Sequence, residues 1–492
     1  MKKLIFILMT VFFIFAITGC NPVDKEWEKG QFWVQNFDTK KFYQINAEKL
    51  AENSRCVVWV EEGSGVSETT ANEMAEKYKN IVYEKMMETF GDEFNVPGVG
   101  MINTMEFAHW KATGKKEAKL TILLLDIKDG YKTKGDSYVG GYFTPINLYK
   151  NVPNDPDLRY SNELDMICLD TYPSVLGSAS SNETLTHEMQ HLMNWVFSTV
   201  FREDYMDIWI DEGLSSAAEW LYSKTHPEQR WKYYNSDSQS GLLKEGNNFY
   251  VWGNHQDTKR ASLDDYTTVY LFFQWLRLQS DNNPDIYYSI ISSPHYDYEA
   301  VTTVAAEMID DIYDNNWSLL LRDWFAANYT NDQSSRYGYK NDPVLKNIKA
   351  PMFPEKKYTV DLFPGEGVYS KTKVAESVPK PSGKIKYAGL NYGSGEPNEK
   401  TGFVNGARLT YNSDTNMGGK TAKGDTTGIA ADISISSGSA SLQIDSYEFP
   451  ESYKVDASYF LNRNINNIGH IGKSDNSIKV DRSTVRRGFV NE

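Results

Sequence analysis

Two histidines, His187 and His191, stand four residues apart in this chain, and Glu188 directly follows the first. Apolar residues recur at helical spacing around them, which predicts a helix with Ser181 or Asn182 as its N-cap. Residues four apart lie one above the other on a helix, so the two imidazoles would point at the same place. This is the arrangement of two zinc ligands, with Glu188 able to reach a water on the metal.

A further acidic residue follows at a suggestive distance. Glu212 stands in the segment 209–214, Trp-Ile-Asp-Glu-Gly-Leu, with 20 residues between it and His191. The motif, its spacing and this segment together resemble the gluzincin clan of zinc metallopeptidases, most closely the hyicolysin-type secreted enzymes. The resemblance implies that Glu212 is the third zinc ligand and that Glu219 accepts the outer N–H of a ligand histidine. The alternative is a solvated amphipathic helix pair without a metal, which leaves both the motif and its partner as coincidences.

The fold class that the resemblance implies is α+β, with a thermolysin-like catalytic unit of mixed sheet and helical subdomain over residues 31–345. Hydrophobic periodicity agrees with this expectation. It predicts strands at 31–37, 55–62, 119–127 and 166–169, and helices at 67–90, 262–279, 299–311 and 317–329.

A glycine-rich segment precedes the histidine motif. In gluzincins the strand before the metal-binding helix is the edge of the sheet and binds the substrate backbone. Gly140, Gly141 and Tyr142, followed by Phe143, are the residues that this resemblance assigns to that edge. The alternative is a glycine bulge that merely bends a strand.

The reaction implied is peptide-bond hydrolysis, in which Glu188 accepts a proton from zinc-bound water and passes it to the leaving amine. The oxyanion needs a second donor besides zinc. Tyr266 is the first candidate, because its spacing to Leu276 is similar to an aminopeptidase segment with a catalytic tyrosine, and His255 is the second. A tyrosine on an apolar helix face can equally belong to the core.

The first 19 residues predict a lipoprotein signal peptide. Lys2 and Lys3 precede an apolar run at 4–17, and residues 17–20, Ile-Thr-Gly-Cys, resemble a bacterial lipobox. The resemblance implies cleavage before Cys20, a lipid on its thiol, and an exported protein anchored to the outer surface or periplasmic side of the envelope. Residues 20–30 would be a tether. An ordinary secretory signal is the alternative.

Composition limits the remaining possibilities. A formal net charge of −15 disfavours nucleic acid as a partner, because phosphate binding relies on clustered Lys and Arg. A chain of 492 residues is long enough for two or three domains. Short alternating runs after Pro351 predict an all-β sandwich over 351–492. Cys56 and Cys168 are predicted to be buried apolar side chains, with a disulfide as the alternative.

Three functions remain open from the sequence. The first is a zinc-dependent endopeptidase acting on peptides or proteins. The second is a zinc aminopeptidase, which would need a carboxylate to capture the substrate's α-amine. That family carries Gly-x-Met-Glu-Asn upstream of the helix, whereas this chain has residues 140–143, Gly-Gly-Tyr-Phe. The third is a non-catalytic surface lipoprotein that binds a host or envelope component, against which the intact Glu188 argues.

Overall fold

The structure is a computed structural model. It describes residues 28–132, 138–198, 206–240, 242–247, 249–251, 262–353, 358–371, 380–381, 383–393, 395–399, 406–415 and 429–433. The strands in these ranges are β1 (Lys29–Asn36), β2 (Lys41–Glu52), β3 (Cys56–Glu61), β4 (Glu93–Val96), β5 (Gly100–Asn103), β6 (Leu120–Leu125), β7 (Gly141–Phe143), β8 (Met166–Asp170), β9 (Tyr358–Leu362), β10 (Gly367–Lys371), β11 (Ile385–Leu390), β12 (Ala407–Asn412) and β13 (Ile429–Ile433). The helices are α1 (Glu68–Lys77), α2 (Tyr83–Phe90), α3 (Thr104–Thr113), α4 (Ala179–Phe197), α5 (Ile208–Ser223), α6 (Glu228–Ser240), α7 (Ser262–Gln279), α8 (Asp285–Ile291), α9 (Tyr298–Met308) and α10 (Trp317–Thr330).

A six-stranded mixed sheet, in the order β1-β2-β3-β6-β8-β7, forms the N-terminal part. β3, β6 and β8 run parallel, and the strands at both ends are antiparallel. Every residue of the central strand β6 is buried, as its unbroken apolar sequence predicts. Its side chains alternate between two cores: Ile122 and Leu124 face the helices, and Leu123 and Leu125 face the smaller cluster on the other side.

The helical part follows the sheet and supplies most of the main core. The predicted helix at 67–90 is present but is interrupted by a π-helical turn over Tyr78–Val82 between α1 and α2. The helix predicted at 262–279 has the same bounds as α7. Buried aromatic side chains join α7 and α10; Phe249, for example, stacks on Phe272 with centroids 4.8 Å apart and meets Trp324 edge-on. An α+β protein with separate antiparallel sheets is therefore confirmed.

The strands after Pro351 lie directly on the helical part. β10, β12 and β11 form one antiparallel sheet, and β9 pairs with β13. Leu409 and Tyr411 belong to the same buried cluster as α10, and the Tyr369 hydroxyl donates to the Phe325 carbonyl at 2.8 Å. One face of the β10–β12–β11 sheet therefore shares a core with the helices, whereas Leu362 of β9 packs with Val368 and Ile385 in a separate small cluster. The strand predicted near 440–444 falls outside the described residues.

The two cysteines of the sheet are free and buried. Cys56 pairs with Leu120 and Cys168 pairs with Leu123, so β6 separates them. Two strand spacings amount to about 10 Å, which exceeds the reach of a disulfide. Burial raises the pKa of each thiol to about 12, which keeps both protonated at neutral pH. The prediction of buried apolar cysteines is confirmed, and the alternative of a bridge is wrong.

The N-terminal predictions for the signal peptide and Cys20 fall outside the described residues. The tether was predicted to extend to residue 30, but β1 already begins at Lys29. Among the described helices, none is long and apolar enough to cross a membrane.

Candidate active site

The helix that carries the histidine motif is α4, and it begins earlier than the sequence suggested. Ser178 is the N-cap, and its hydroxyl accepts from the Ser181 N–H at 3.1 Å. The prediction of Ser181 or Asn182 as the cap is therefore wrong. Asn182 lies inside the first turn, where its amide donates to the Ser178 carbonyl at 2.7 Å. Ser181 and Asn182 could each cap a helix, but Ser178 occupies the N-cap position here.

The second helix, α5, packs antiparallel to α4. His187 meets Glu219 near the end of α5, whereas Asn194, further along α4, meets Asp211 near its start. Gly213 is required by the packing on the other side of α5, because a Cβ there would lie 2.3 Å from the Phe273 ring of α7. The glycine after Glu212 thus lets α7 approach the α4–α5 pair closely.

The three predicted ligands meet at one point. The nearest ligand atoms of His187, His191 and Glu212 all lie within 4.8 Å of one another, and all three residues are buried. Glu212 Oε2 lies 3.3 Å from His187 Nε2 and 3.5 Å from His191 Nε2. These contacts lack hydrogen-bond geometry, since Oε2 has no hydrogen-bond partner among the described residues. Glu188 also has a buried, unpartnered Oε2 beside them.

The outer nitrogen of His187 is held by Glu219. His187 Nδ1 lies 3.0 Å from Glu219 Oε1, which leaves Nε2 facing the cluster. Glu219 in turn accepts two hydrogen bonds from Arg230 of α6. Arg230 Nε donates to Glu219 Oε2 at 3.1 Å, and a terminal nitrogen of Arg230 donates to Glu219 Oε1. Such a two-bond contact fixes the plane of the carboxylate. The sequence predicted Glu219 in this place but gave no sign of Arg230.

The outer nitrogen of His191 has two partners that the sequence did not predict. Its Nδ1 lies 3.0 Å from Asp211 Oδ1 and 3.1 Å from the Ser215 hydroxyl. Asp211 also accepts from the Asn194 amide at 2.6 Å. Asp211 and Ser215 flank Glu212 on α5 at spacings of one and three residues. The helical periodicity around Glu212 is the signal that could have identified Ser215, since residues three apart share a face.

The electrostatics of the cluster favour a positive charge. Burial would lower the pKa of His187, but the Glu212 and Glu219 carboxylates more than offset this and raise it. Burial acts in the same direction on His191, and the charges of Asp211 and Glu212 raise its pKa well above the ordinary value. For Glu212, burial would raise the pKa, yet the two imidazoles hold it at about 2. The site therefore stabilises cationic charge in a buried place.

The edge strand β7 borders this cluster, as predicted. Gly141 is tightly enclosed, because a Cβ there would lie 2.8 Å from the Thr184 methyl of α4 and 2.9 Å from the Cys168 carbonyl. The backbone N–H of Phe143 hydrogen-bonds to the Glu188 carboxylate and so works against the burial that raises its pKa. The glycines thus let the strand approach α4 closely enough for its backbone to reach Glu188.

The residues of β7 face in different directions. Asp170 N–H donates to the Gly140 carbonyl at 3.0 Å, so Tyr142 and Cys168 form the hydrogen-bonded pair of the ladder. The N–H and C=O of Gly141 consequently point away from β8. The Tyr142 side chain lies on the opposite face of the sheet, where its hydroxyl accepts from the Gln35 N–H at 3.1 Å.

Tyr266 lies at the cluster, whereas His255 falls outside the described residues. The Tyr266 ring is half-buried with its centroid 6.1 Å from that of His187. The Arg230 guanidinium lies over the same ring at 4.9 Å. The structure therefore brings Tyr266 of α7 and Arg230 of α6 to the same side of His187.

The donor set fits zinc. Two imidazole Nε2 atoms and one carboxylate oxygen converge in a buried place, both imidazoles are oriented by outer partners, and Glu212 Oε2 has no hydrogen-bond partner. Three protein ligands of mixed nitrogen and oxygen type, with room for a fourth, are typical of catalytic zinc sites. The residues present thus match the metal that the motif predicts.

Comparison with known proteins points the same way. No protein-family model matches the chain. The neutral metalloprotease ShpI of Staphylococcus hyicus is 28% identical over 364 residues, which cover 70% of this chain and 74% of the relative. This chain is similar to a metalloprotease. The similarity and the buried cluster of His187, His191 and Glu212 together confirm the prediction of a zinc metallopeptidase.

Proposed function

We propose that the protein is an exported zinc-dependent endopeptidase that cleaves peptide or protein substrates. His187, His191 and Glu212 would hold one zinc ion, which supplies Lewis-acid polarisation and lowers the pKa of a water molecule. The observation that carries the proposal is the convergence of these three ligands beside Glu188, whose buried Oε2 has no hydrogen-bond partner among the described residues.

Glu188 is the proposed general base and acid. Its carboxylate is buried, and burial raises its pKa above the ordinary value of a glutamate, which favours acceptance of a proton. The Phe143 N–H fixes its position from the edge strand. Glu188 would therefore take a proton from the attacking water and deliver it to the leaving amine.

The substrate backbone is proposed to extend along the free side of β7. Gly141 turns its N–H and C=O away from β8, so a peptide could add there as a further antiparallel strand. Of the residues predicted from the sequence, Gly140 and Tyr142 already use backbone or side-chain groups within the sheet. We therefore assign them to holding the strand in place and Gly141 to substrate contact.

Tyr266 is the proposed donor to the oxyanion. Its ring lies beside His187 of the metal-binding cluster, and the Arg230 cation above the ring stabilises this position. A hydroxyl in this place would stabilise negative charge that develops on the scissile carbonyl oxygen. His255 remains the second candidate from the sequence.

The location of the protein is proposed from its first 20 residues. The Lys-Lys start, the apolar run and the lipobox-like segment support a lipid-anchored protein, with Cys20 as the modified residue. Replacement of Cys20 by serine should release the protein from the membrane fraction. Mass spectrometry that finds an unmodified thiol at the mature N-terminus would contradict the anchor without affecting the enzyme.

The test of the proposed activity is cleavage of casein by purified protein of known zinc content. We expect about one zinc per chain and internal cleavage of the substrate. Peptides blocked at the N-terminus should be cleaved as well as free ones, because an endopeptidase does not need the α-amine. Cleavage confined to free N-termini would replace this proposal with an aminopeptidase.

A further inference from the structure

A cavity of about 480 Å³ opens beside the metal-binding cluster. His191 and Asp211 line it at the cluster, and Phe143 and Thr144 line it at the edge strand. The rest of the wall comes from the β1–β2 turn, the loop at 156–160, the segment after β7, the C-terminal part of α4 and the start of α5. This volume lies within the usual range for ligand pockets. The cavity is therefore placed to receive side chains of a peptide that lies along β7.

Part of the wall is aromatic. The rings of Phe42 and Tyr160 stack in parallel with centroids 4.5 Å apart, and Trp195 of α4 lines the same cavity. Tyr160 is further braced by Trp33, whose ring meets it edge-on at 5.1 Å. Rigid aromatic surfaces of this kind bind bulky apolar side chains with little loss of entropy.

The same cavity carries three exposed cations: Lys40 and Lys41 of the turn, and Arg159 of the loop. Other lysines of this hairpin are paired with acids; Lys29, for example, lies 2.8 Å from Glu62. By contrast, no acidic group of the described residues lies within salt-bridge distance of Lys40, Lys41 or Arg159. In a chain with a net charge of −15, three such cations around one cavity stand out.

Lys40 also has an unusual backbone conformation. Lys40 has φ 57°, in the left-handed region where glycine or asparagine fits with less strain. Two acids also line the cavity, Asp157 and Asp211, but Asp211 is engaged by His191 and Asn194. Asp157 is partly exposed beside Arg159, so the rim carries three cations and one acid, while the inner part is aromatic.

We propose that this cavity selects substrates in which a carboxylate lies next to a bulky apolar side chain. The apolar group packs on Phe42 and Trp195. The carboxylate meets Lys40, Lys41 and Arg159, whose guanidinium lies over the Tyr160 ring at 4.6 Å. The carboxylate can belong to an Asp or Glu side chain or to the end of a peptide. This inference rests on the proposed peptidase function.

Exposed ion pairs are weak, and salt screens them. Each of the three cations should therefore change kcat/KM for an acidic substrate by a small factor, and all three together by about tenfold. The preference should shrink between about 0.05 and 0.5 M salt, because the Debye length then falls below the separation of exposed charges.

The experiment compares quenched fluorescent peptides of one sequence that contain a single Phe flanked by either Glu or Gln. A further pair carries the Phe next to a free or an amidated C-terminus. The wild-type protein is compared with the variant Lys40→Gln/Lys41→Gln/Arg159→Gln. The control is Lys115→Gln/Lys116→Gln, a neighbouring pair of exposed lysines outside the cavity.

We expect the wild type and the control to prefer the carboxylate-bearing peptide by about tenfold, and the triple variant to lose that preference. Preference for the Glu peptide identifies a side-chain carboxylate, and preference for the free C-terminus identifies a chain end; either supports the inference. Equal cleavage of all peptides by the wild type, or an unchanged preference in the triple variant, overturns it. A wild type that cleaves neither these peptides nor casein refutes the proposed function instead.

Discussion

His187 and His226 are both buried beside a carboxylate, but they differ in what their second ring nitrogen meets. His226 Nε2 lies 2.9 Å from Asp342 and its Nδ1 lies 2.6 Å from the Tyr270 hydroxyl, so both nitrogens are used within the protein. His187 uses Nδ1 for Glu219 and turns Nε2 towards the cluster of His191 and Glu212. The first arrangement ties α7 to the loop after α10, and the second leaves a ligand atom available.

The contrast shows what distinguishes a ligand from a structural histidine. Burial and a carboxylate partner are common to both residues, so neither property identifies a metal site. What differs is the convergence of several incompletely satisfied atoms, Glu212 Oε2 among them, at one place. A buried polar atom without a partner is costly, and a bound cation removes that cost.

Replacement of each histidine by alanine should separate the two roles, with the largest effect at the metal site. His187→Ala should abolish zinc binding and reduce proteolysis below detection, because two remaining ligands hold the ion poorly. His226→Ala should keep zinc and activity but lower stability by about 1–3 kcal/mol, since Tyr270 and Asp342 lose a buried partner. The measurements are elemental analysis, casein cleavage and thermal melting. Zinc loss in His226→Ala would contradict a purely structural role for His226.

Tyr266→Phe should have the next largest effect. Removal of one oxyanion donor lowers kcat by about a hundred- to a thousandfold, with zinc content unchanged. The ring stays in place under Arg230, so the melting temperature should change little. A melting shift with near-normal kcat would instead assign Tyr266 to the core.

Glu219→Gln should act through the orientation of His187. Loss of an outer carboxylate partner of a ligand histidine lowers metal affinity or activity by about ten- to a hundredfold. Asp342→Asn is the matched change at His226, and there zinc affinity should stay constant. Titration with a fluorescent zinc chelator measures both variants. Equal zinc affinities for Glu219→Gln and the wild type would exclude the orienting role.

The smallest effect concerns pH. Without metal, the pKa values of His187 and His191 are raised by neighbouring carboxylates. Their stabilising contribution is therefore fully present below the unfolded value of about 6.5 and is lost as pH rises through the folded pKa. Zinc binds only the neutral imidazoles, so the affinity of the site for zinc increases as pH rises. The increase in melting temperature on adding zinc should be larger at pH 8 than at pH 6, by a few degrees; a smaller increase at pH 8 would contradict this.

The sequence predicted those parts of the site that depend on short spacing. His187, Glu188 and His191 are positioned by one helix, and α7 could be bounded by its apolar periodicity. Arg230 was missed because its contact with Glu219 depends on the tertiary position of α6, which no local pattern encodes. The cavity was missed for the same reason, since the turn at Lys40 and the loop at Arg159 lie far apart in the chain.

The region after Pro351 illustrates the same limit. A change in composition predicted strands there, and antiparallel strands are present. The sequence gave no indication that Leu409 and Tyr411 complete the core on α10, because a strand's apolar face does not specify its partner. A separate sandwich over 351–492 remains a prediction for the residues beyond those described.

The role of Glu188 as general base is tested by the variant Glu188→Gln, measured for zinc and for casein cleavage in the same preparation. Glutamine keeps the size and much of the hydrogen bonding of the side chain but cannot accept a proton, so zinc content and melting should match the wild type. We expect one zinc per chain and a fall in kcat of about a hundred- to ten-thousandfold. A zinc-loaded Glu188→Gln protein that cleaves casein at the wild-type rate would contradict the central claim.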